Sequence, residues 1–238
     1  MTSLLLTYFG PFEGVPQNPT GPLAQKLARA LAHSAPEVTV HLRELPVEYE
    51  ASGQLLRGLL AELEPQLAIC LGVALGRQKV SLEEVARNLD SAPIPDNSGS
   101  YRSGQPIDPQ GPPTYRSSLP LGALFEHFQA QGQPVEISQS AGSYVCNHVF
   151  YELMQATAGS IPAGFIHLPL LRDDSDSQGL EATAGSQLRA YTQTGGLELG
   201  EKEKMPTLPL GQVVGICEEL ILLTLKSELR DQGLELRD

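Results

Sequence analysis

The chain has no tryptophan, only three cysteines and three methionines in 238 residues, and aromatics make up just 5% of it. Three cysteines without a CxxC pair cannot form the disulfide framework of a small secreted domain, so each is weighed as a thiol. Positive charge is scarce: 16 Lys and Arg stand against 28 Asp and Glu, a formal net charge of -12. Charge of that sign repels phosphate backbones and anionic lipid, which argues against nucleic acid and membrane surfaces as partners. Long apolar runs are missing too. Stretches such as Leu4 to Leu6 and Leu220 to Leu223 fall far below the ~20 residues of a membrane helix. Residues 3–9 are strand-like from the start, with no basic segment leading to a small-residue cleavage site, so the expectation is a cytoplasmic protein. Gly10-Pro-Phe-Glu-Gly14 lacks both the lysine of a GxxxxGK[ST] loop and the GxGxxG spacing, which excludes nucleotide binding.

What is present is 41% hydrophobic and 18% charged, enough to bury one core and ordinary for a single globular domain spanning 1–238. Residues 3–9, 38–45, 67–71, 135–138 and 163–168 read as strands from their apolar runs or alternation. Residues 22–33, 49–63, 121–131, 144–157 and 211–229 carry apolar residues at helical spacing. Strands alternating with helices predict an α/β fold, a single-domain three-layer sandwich with a mainly parallel twisted sheet flanked by helices. Residues 72–114 look irregular, and the Gly-, Pro- and Ser-rich part from Asn97 to Pro113 reads as a long surface loop able to cover a site. Arg172 to Lys204 reads as an insertion with at most one short helix near Ala184 to Tyr191.

In open α/β sheets ligands sit beyond strand ends, so residues that follow strands are weighed first. Cys70 and Cys217 lie in apolar segments and read as small buried hydrophobes. Cys146 instead follows the turn Ser140-Ala-Gly-Ser143 and falls in the first turn of a helix. Free amides and the helix dipole there should stabilise a thiolate, lower the thiol pKa and serve a developing oxyanion. His167, at the end of Ala163 to Leu168, is the best placed of five histidines to act as base. His33, His41 and His127 suit solvated or capping roles, and His148 lies only two residues beyond Cys146, pointing in a different direction on a helix. An orienting acid is expected from Ser81-Leu-Glu-Glu-Val-Ala86 or from Pro95-Asp-Asn97. Phe9 and Phe12 flank the turn after the first strand and suit either core packing or a small apolar slot. On the residues alone, a cysteine after a glycine-containing turn is a weak signal, and a buried structural thiol stays the simpler reading.

Several ordered segments together carry a resemblance. Leu6-Thr-Tyr-Phe-Gly-Pro-Phe-Glu-Gly14 with Asn18-Pro19, Leu45-Pro-Val47, Gly72 to Arg77, Val80-Ser-Leu-Glu-Glu-Val-Ala-Arg-Asn88 and Ile94-Pro-Asp-Asn97 form the first group. Ser140-Ala-Gly-Ser-Tyr-Val-Cys-Asn147 with Val149-Phe-Tyr151, and Ala163-Gly-Phe-Ile-His-Leu-Pro169, follow in order. In these motifs the chain resembles the pyroglutamyl peptidase (pyrrolidone-carboxylate peptidase) family of cysteine peptidases, over most of residues 3–169.

That resemblance implies Cys146 as nucleophile, His167 as acid and base, and Glu83 as orienting acid, with Glu84 a solvated neighbour where the family usually has arginine. It implies a lactam pocket formed by Phe9, Phe12, Ile94, Tyr144 and Val145, substrates that are peptides with N-terminal pyroglutamate, no metal or other cofactor, and a homo-oligomer, dimer or tetramer. The chain departs from the family at Ala92-Pro93, where Ala-Arg is common, leaving Arg77 or Arg102 as substitutes for the missing charge. Val73 stands where glutamine is frequent. Two alternatives stay open: another small-amide thiol hydrolase, which lacks a GxCxG centre and a His-x-Glu, and a catalytically inactive peptide-binding relative, suggested by Pro93.

Overall fold

The computed structural model describes residues 2–12, 18–174 and 206–231. Its elements run β1 (Thr2–Phe9), α1 (Thr20–Ser34), β2 (Val38–Leu45), α2 (Tyr49–Leu63), β3 (Leu67–Val73), β4 (Val80–Glu83), β5 (Val85–Arg87) and β6 (Thr114–Arg116). They continue with α3 (Leu121–Ala130), β7 (Val135–Ser138), α4 (Val145–Thr157), β8 (Ala163–Leu168), β9 (Leu170–Arg172), β10 (Thr207–Pro209) and α5 (Leu210–Asp231).

Six strands form one sheet in the order β2-β1-β3-β8-β4-β7. All its pairings are parallel except β4 with β8. The expected mainly parallel α/β sandwich is therefore present. Its layers follow from alternation, since successive strand side chains point to opposite faces. Leu4, Leu6, Ile69 and Ile166 pack on one face with Leu27 of α1, Phe128 of α3 and Leu220 of α5. Leu5, Ala68, Cys70 and Phe165 pack on the other with Leu56 of α2 and Val149 of α4. Cys70 and Cys217 are both buried and unpaired, as read from their apolar settings.

The stretch 72–114 is less irregular than expected. It contains β4, β5 and, beginning at its last residue, β6, with β5 and β6 forming an antiparallel pair. Three residues, as in β5 and β6, are too few for periodicity to reveal, and β4, though it alternates as 135–138 does, has no helical segment beside it to set it in the strand–helix rhythm. The loop from Asn97 to Pro113 is pinned from below: Gln105 pairs with Asp90, and Asn88 exchanges hydrogen bonds with Asp108 at 2.7 and 2.9 Å. The helix expected near 184–191 lies outside the described residues. No helix among the described residues is long and apolar enough to cross a membrane.

Candidate active site

β4 runs antiparallel to β8 and pairs Ser81 with His167 and Glu83 with Phe165. Opposed residues share a face, and so do residues two apart on one strand. Glu83 thus lies diagonally across from His167, and its Oε1 sits 2.7 Å from His167 Nδ1. Glu84, one residue on, cannot reach that face. It pairs instead with Arg116 and Gln139, half-buried. On the other side of β8, Gly72 of β3 is paired with His167. A Cβ at position 72 would fall 2.8 Å from the Phe165 ring and 3.0 Å from His167 Cδ2, so only glycine leaves the imidazole its place.

Cys146 is the second residue of α4. The turn before it needs Gly142 at φ +80°. First-turn amides of a helix have no helical acceptor, so they remain donors for a ligand. The turn is tied on both sides. Ser91 N–H donates to Ser143 O at 2.8 Å, and the Ser143 hydroxyl donates back to Ser91 O. Asn147 accepts from Arg87 N–H and donates to Arg87 O and Leu89 O, all at 2.9 Å.

Cys146 and His167 line one cavity of about 290 Å³. All five residues expected around the lactam, Phe9, Phe12, Ile94, Tyr144 and Val145, line the same cavity. The Tyr144 hydroxyl donates to Pro95 O at 3.0 Å, and its ring meets Tyr49 edge-on at 5.6 Å. Glu83 is fully buried behind His167 rather than on the wall. Arg77, Pro93, Val73 and Asn18 also face the cavity. Asn18 ties the turn after β1 to the start of α1, donating to Gly10 O at 3.1 Å and accepting from Thr20 N–H at 3.1 Å.

Of the two arginines left open as substitutes, Arg77 is at the cavity and Arg102 is not. Arg77 donates to Glu83 Oε1 at 2.6 Å and to Ser140 O at 2.9 Å. Arg102 pairs with Glu50 at 2.5 Å and lies over the Tyr49 ring. Asp96, the other acidic candidate, is taken up by its own loop. It accepts from Tyr49 N–H at 2.9 Å and from the Ser98 and Ser100 amides.

Electrostatics assign the protons. Burial raises the Glu83 pKa, but the bond and charge of His167 and the Arg77 charge more than offset it, so the carboxyl ends below its ordinary value. An ionised Glu83 only accepts, which places the proton on His167 Nδ1 and leaves Nε2 as the basic nitrogen. Burial pulls the His167 pKa down against the raising effect of Glu83, keeping the imidazole neutral near neutral pH. The Cys146 thiol reverses the expectation drawn from its place on the helix. Burial and the nearby Glu83 charge push it up to about 12, with Arg77 acting in the opposite direction. At this buried position the desolvation of an anion outweighs the partial charge of the helix end.

Two histidines read as solvated or misdirected have partners. His148 Nδ1 lies 2.9 Å from Asp90 Oδ2, both buried, and joins α4 to the loop at 88–92. His127 Nε2 lies 2.8 Å from Glu219, linking α3 to α5. Their sequence surroundings carry no signal of these distant acids. Among the described residues no group of three or more His, Cys, Asp or Glu is arranged to hold a metal ion.

A protein-family model described as pyroglutamyl peptidase matches residues 2–183. A pyrrolidone-carboxylate peptidase from Gloeobacter violaceus is 42% identical over 174 residues, 72% of this chain and 83% of that protein. Its counterpart in Bacillus cereus strain G9842 is 37% identical over 178 residues, 74% of this chain and 81% of that protein. Among solved structures, pyroglutamyl peptidase I from Bacillus amyloliquefaciens superposes with a TM-score of 0.75 at 29% identity, covering 94% of this chain and 97% of that one. A variant pyrrolidone carboxyl peptidase from Pyrococcus furiosus gives 0.78 at 28% identity, covering 96% and 100%.

Proposed function

The chain belongs to the pyroglutamyl peptidase family of cysteine peptidases, hydrolases that act on peptides, and from that membership we propose that Cys146, His167 and Glu83 remove an N-terminal pyroglutamyl residue from peptides. The observation that carries the assignment is the shared cavity: the Cys146 thiol and the His167 imidazole face one apolar space, with Glu83 2.7 Å behind the imidazole.

His167 Nε2 takes the Cys146 proton as sulfur attacks the pyroglutamyl carbonyl, so the thiolate forms during attack rather than before it. Amides at the start of α4 hold the oxyanion; one such donor is worth about 3 to 4 kcal/mol elsewhere. Collapse breaks the amide bond, and the leaving amine receives its proton from His167. Water, deprotonated by the same nitrogen, then attacks the thioester, releasing L-pyroglutamate and restoring the thiol. No step uses a metal.

Selectivity has a physical basis in the wall. Phe9, Phe12 and Ile94 offer apolar contact to a neutral lactam, whereas a charged free amino terminus would lose its hydration without compensation. Purified protein is therefore expected to hydrolyse pyroglutamyl-7-amino-4-methylcoumarin and to leave the alanyl analogue intact; comparable turnover of both defeats the specificity. Cys146→Ala should fold normally and show no turnover, and wild-type activity in it would remove the nucleophile. The proposal places the enzyme in the cytoplasm, which its three unpaired thiols suit. By family likeness it forms a dimer or tetramer, and a monomer mass by light scattering would refute that.

A further inference from the structure

Arg77 lies on the loop between β3 and β4, in neither element that carries Cys146 or His167. Its two terminal nitrogens nevertheless reach both parts of the site: one donates to Glu83 Oε1 at 2.6 Å, the other to Ser140 O at 2.9 Å. The Glu83 oxygen it holds is the one that accepts from His167 at 2.7 Å. The carbonyl it holds begins the turn whose next residues, Ala141 and Gly142, form the cavity wall before Cys146.

Resting on the peptidase assignment above, we propose that Arg77 is a positioning residue, one guanidinium locking the orienting acid and the turn before the nucleophile into a single rigid unit. A planar guanidinium suits this because its donors are fixed in a fork and can serve two acceptors at once, which a lysine ammonium on a flexible stem does poorly. Fixing the Ser140 carbonyl also fixes the planar peptide that follows it, hence the direction of the Ala141 amide. The arginine is three-quarters buried, so this contact is screened less than a surface pair.

The position also has an electrostatic consequence. The ionisable groups bearing on His167 and Cys146 are Glu83 from β4, Arg77 from its loop and, for the thiol, Cys70 from β3. Arg77 draws both the imidazole and the thiol toward lower pKa. Removing its charge raises both, so the acidic limb of kcat/KM moves to higher pH.

The test compares wild type, Arg77→Gln and Arg77→Lys by kcat, KM and pH profile with pyroglutamyl-7-amino-4-methylcoumarin, and by the pH dependence of iodoacetamide alkylation at Cys146 read by mass spectrometry. Arg77→Gln is expected to lower kcat by roughly 10- to 100-fold, as for a displaced reacting group, with little change in KM and an acidic limb displaced upward. Arg77→Lys should keep the limb near that of wild type and recover kcat only in part. An unmoved limb in Arg77→Gln, or a change confined to KM, overturns the proposal. If Arg77→Gln does not fold by circular dichroism, Arg77→Lys decides: reduced kcat supports the proposal and wild-type kcat overturns it. If the wild type hydrolyses no pyroglutamyl substrate, the peptidase assignment fails, yet alkylation still judges Arg77. An upward shift of its pH profile in Arg77→Gln supports the lock, and an unchanged profile overturns it.

Discussion

Two adjacent glutamates show how much a single position decides. Glu83 is fully buried and bonded to His167, whereas Glu84 faces Arg116 at the surface. Composition treats them alike, and strand parity separates them. Glu83→Gln should lower kcat by about 10⁴-fold, as when a triad acid can no longer fix the tautomer of its histidine. Glu84→Gln should stay within about threefold, since exposed pairs contribute little; equal losses in the two variants would reverse the assignment. The lowered His167 pKa adds a pH prediction. Activity should persist below the ordinary imidazole value of about 6.5 before its acidic limb sets in. Because a folded pKa below the unfolded one means fewer protons bound in the native state, this group's contribution is present above about 6.5 and lost as pH falls from there toward the folded value. Thermal melts between pH 7 and 5 check the sign: a melting temperature rising on acidification would contradict it.

Elements set in the strand–helix alternation were legible, and the short strands within 72–114 were not. Residues 49–63, 135–138 and 163–168 carry enough pattern for their bounds to be read directly, and α2, β7 and β8 have those bounds. β4 has four residues, yet its reversed direction next to β8 is what brings Glu83 to His167. No local signal encodes that pairing, because strand direction within a mixed sheet is set by the chain's route outside it. Likewise α4 was readable from its apolar spacing, but the three bonds by which Asn147 ties its first turn to residues 87 and 89 were not. Removing them leaves partly buried backbone groups unpaired, at up to about 1–3 kcal/mol. For a chain of this length each kcal/mol moves the melting temperature by roughly 2–4 °C. Asn147→Ala should therefore melt several degrees lower and lose activity as α4 shifts; an unchanged melt would show the buckle to be idle.

Over the molecule as a whole, stability and chemistry sit on opposite faces of one sheet. The cluster with α1, α3 and α5 contains no residue of the cavity, whereas the α2 and α4 side contains Phe9, Val47, Ala141 and Val145 of its wall. Phe128, fully buried on the first side, is thus a stability position remote from the site. Phe128→Ala should cost about 3–5 kcal/mol through lost burial and a residual cavity. Its kcat at 25 °C should stay near wild type, and a large kcat loss in a folded variant would show the two faces to be coupled. The order and period of apolar residues were enough to specify the α/β layers, because burial on two faces demands that alternation wherever the chain runs. Linear order was likewise enough to bring forward Cys146, His167 and the pair Glu83 and Glu84. It was silent on the direction of β4 and the reach of Arg77 from its loop, and it pointed the wrong way on the Cys146 thiol, whose pKa burial raises. Each of these depends on desolvation and on neighbours 6 to 84 residues away in the chain, and such distances close only when the sheet assembles.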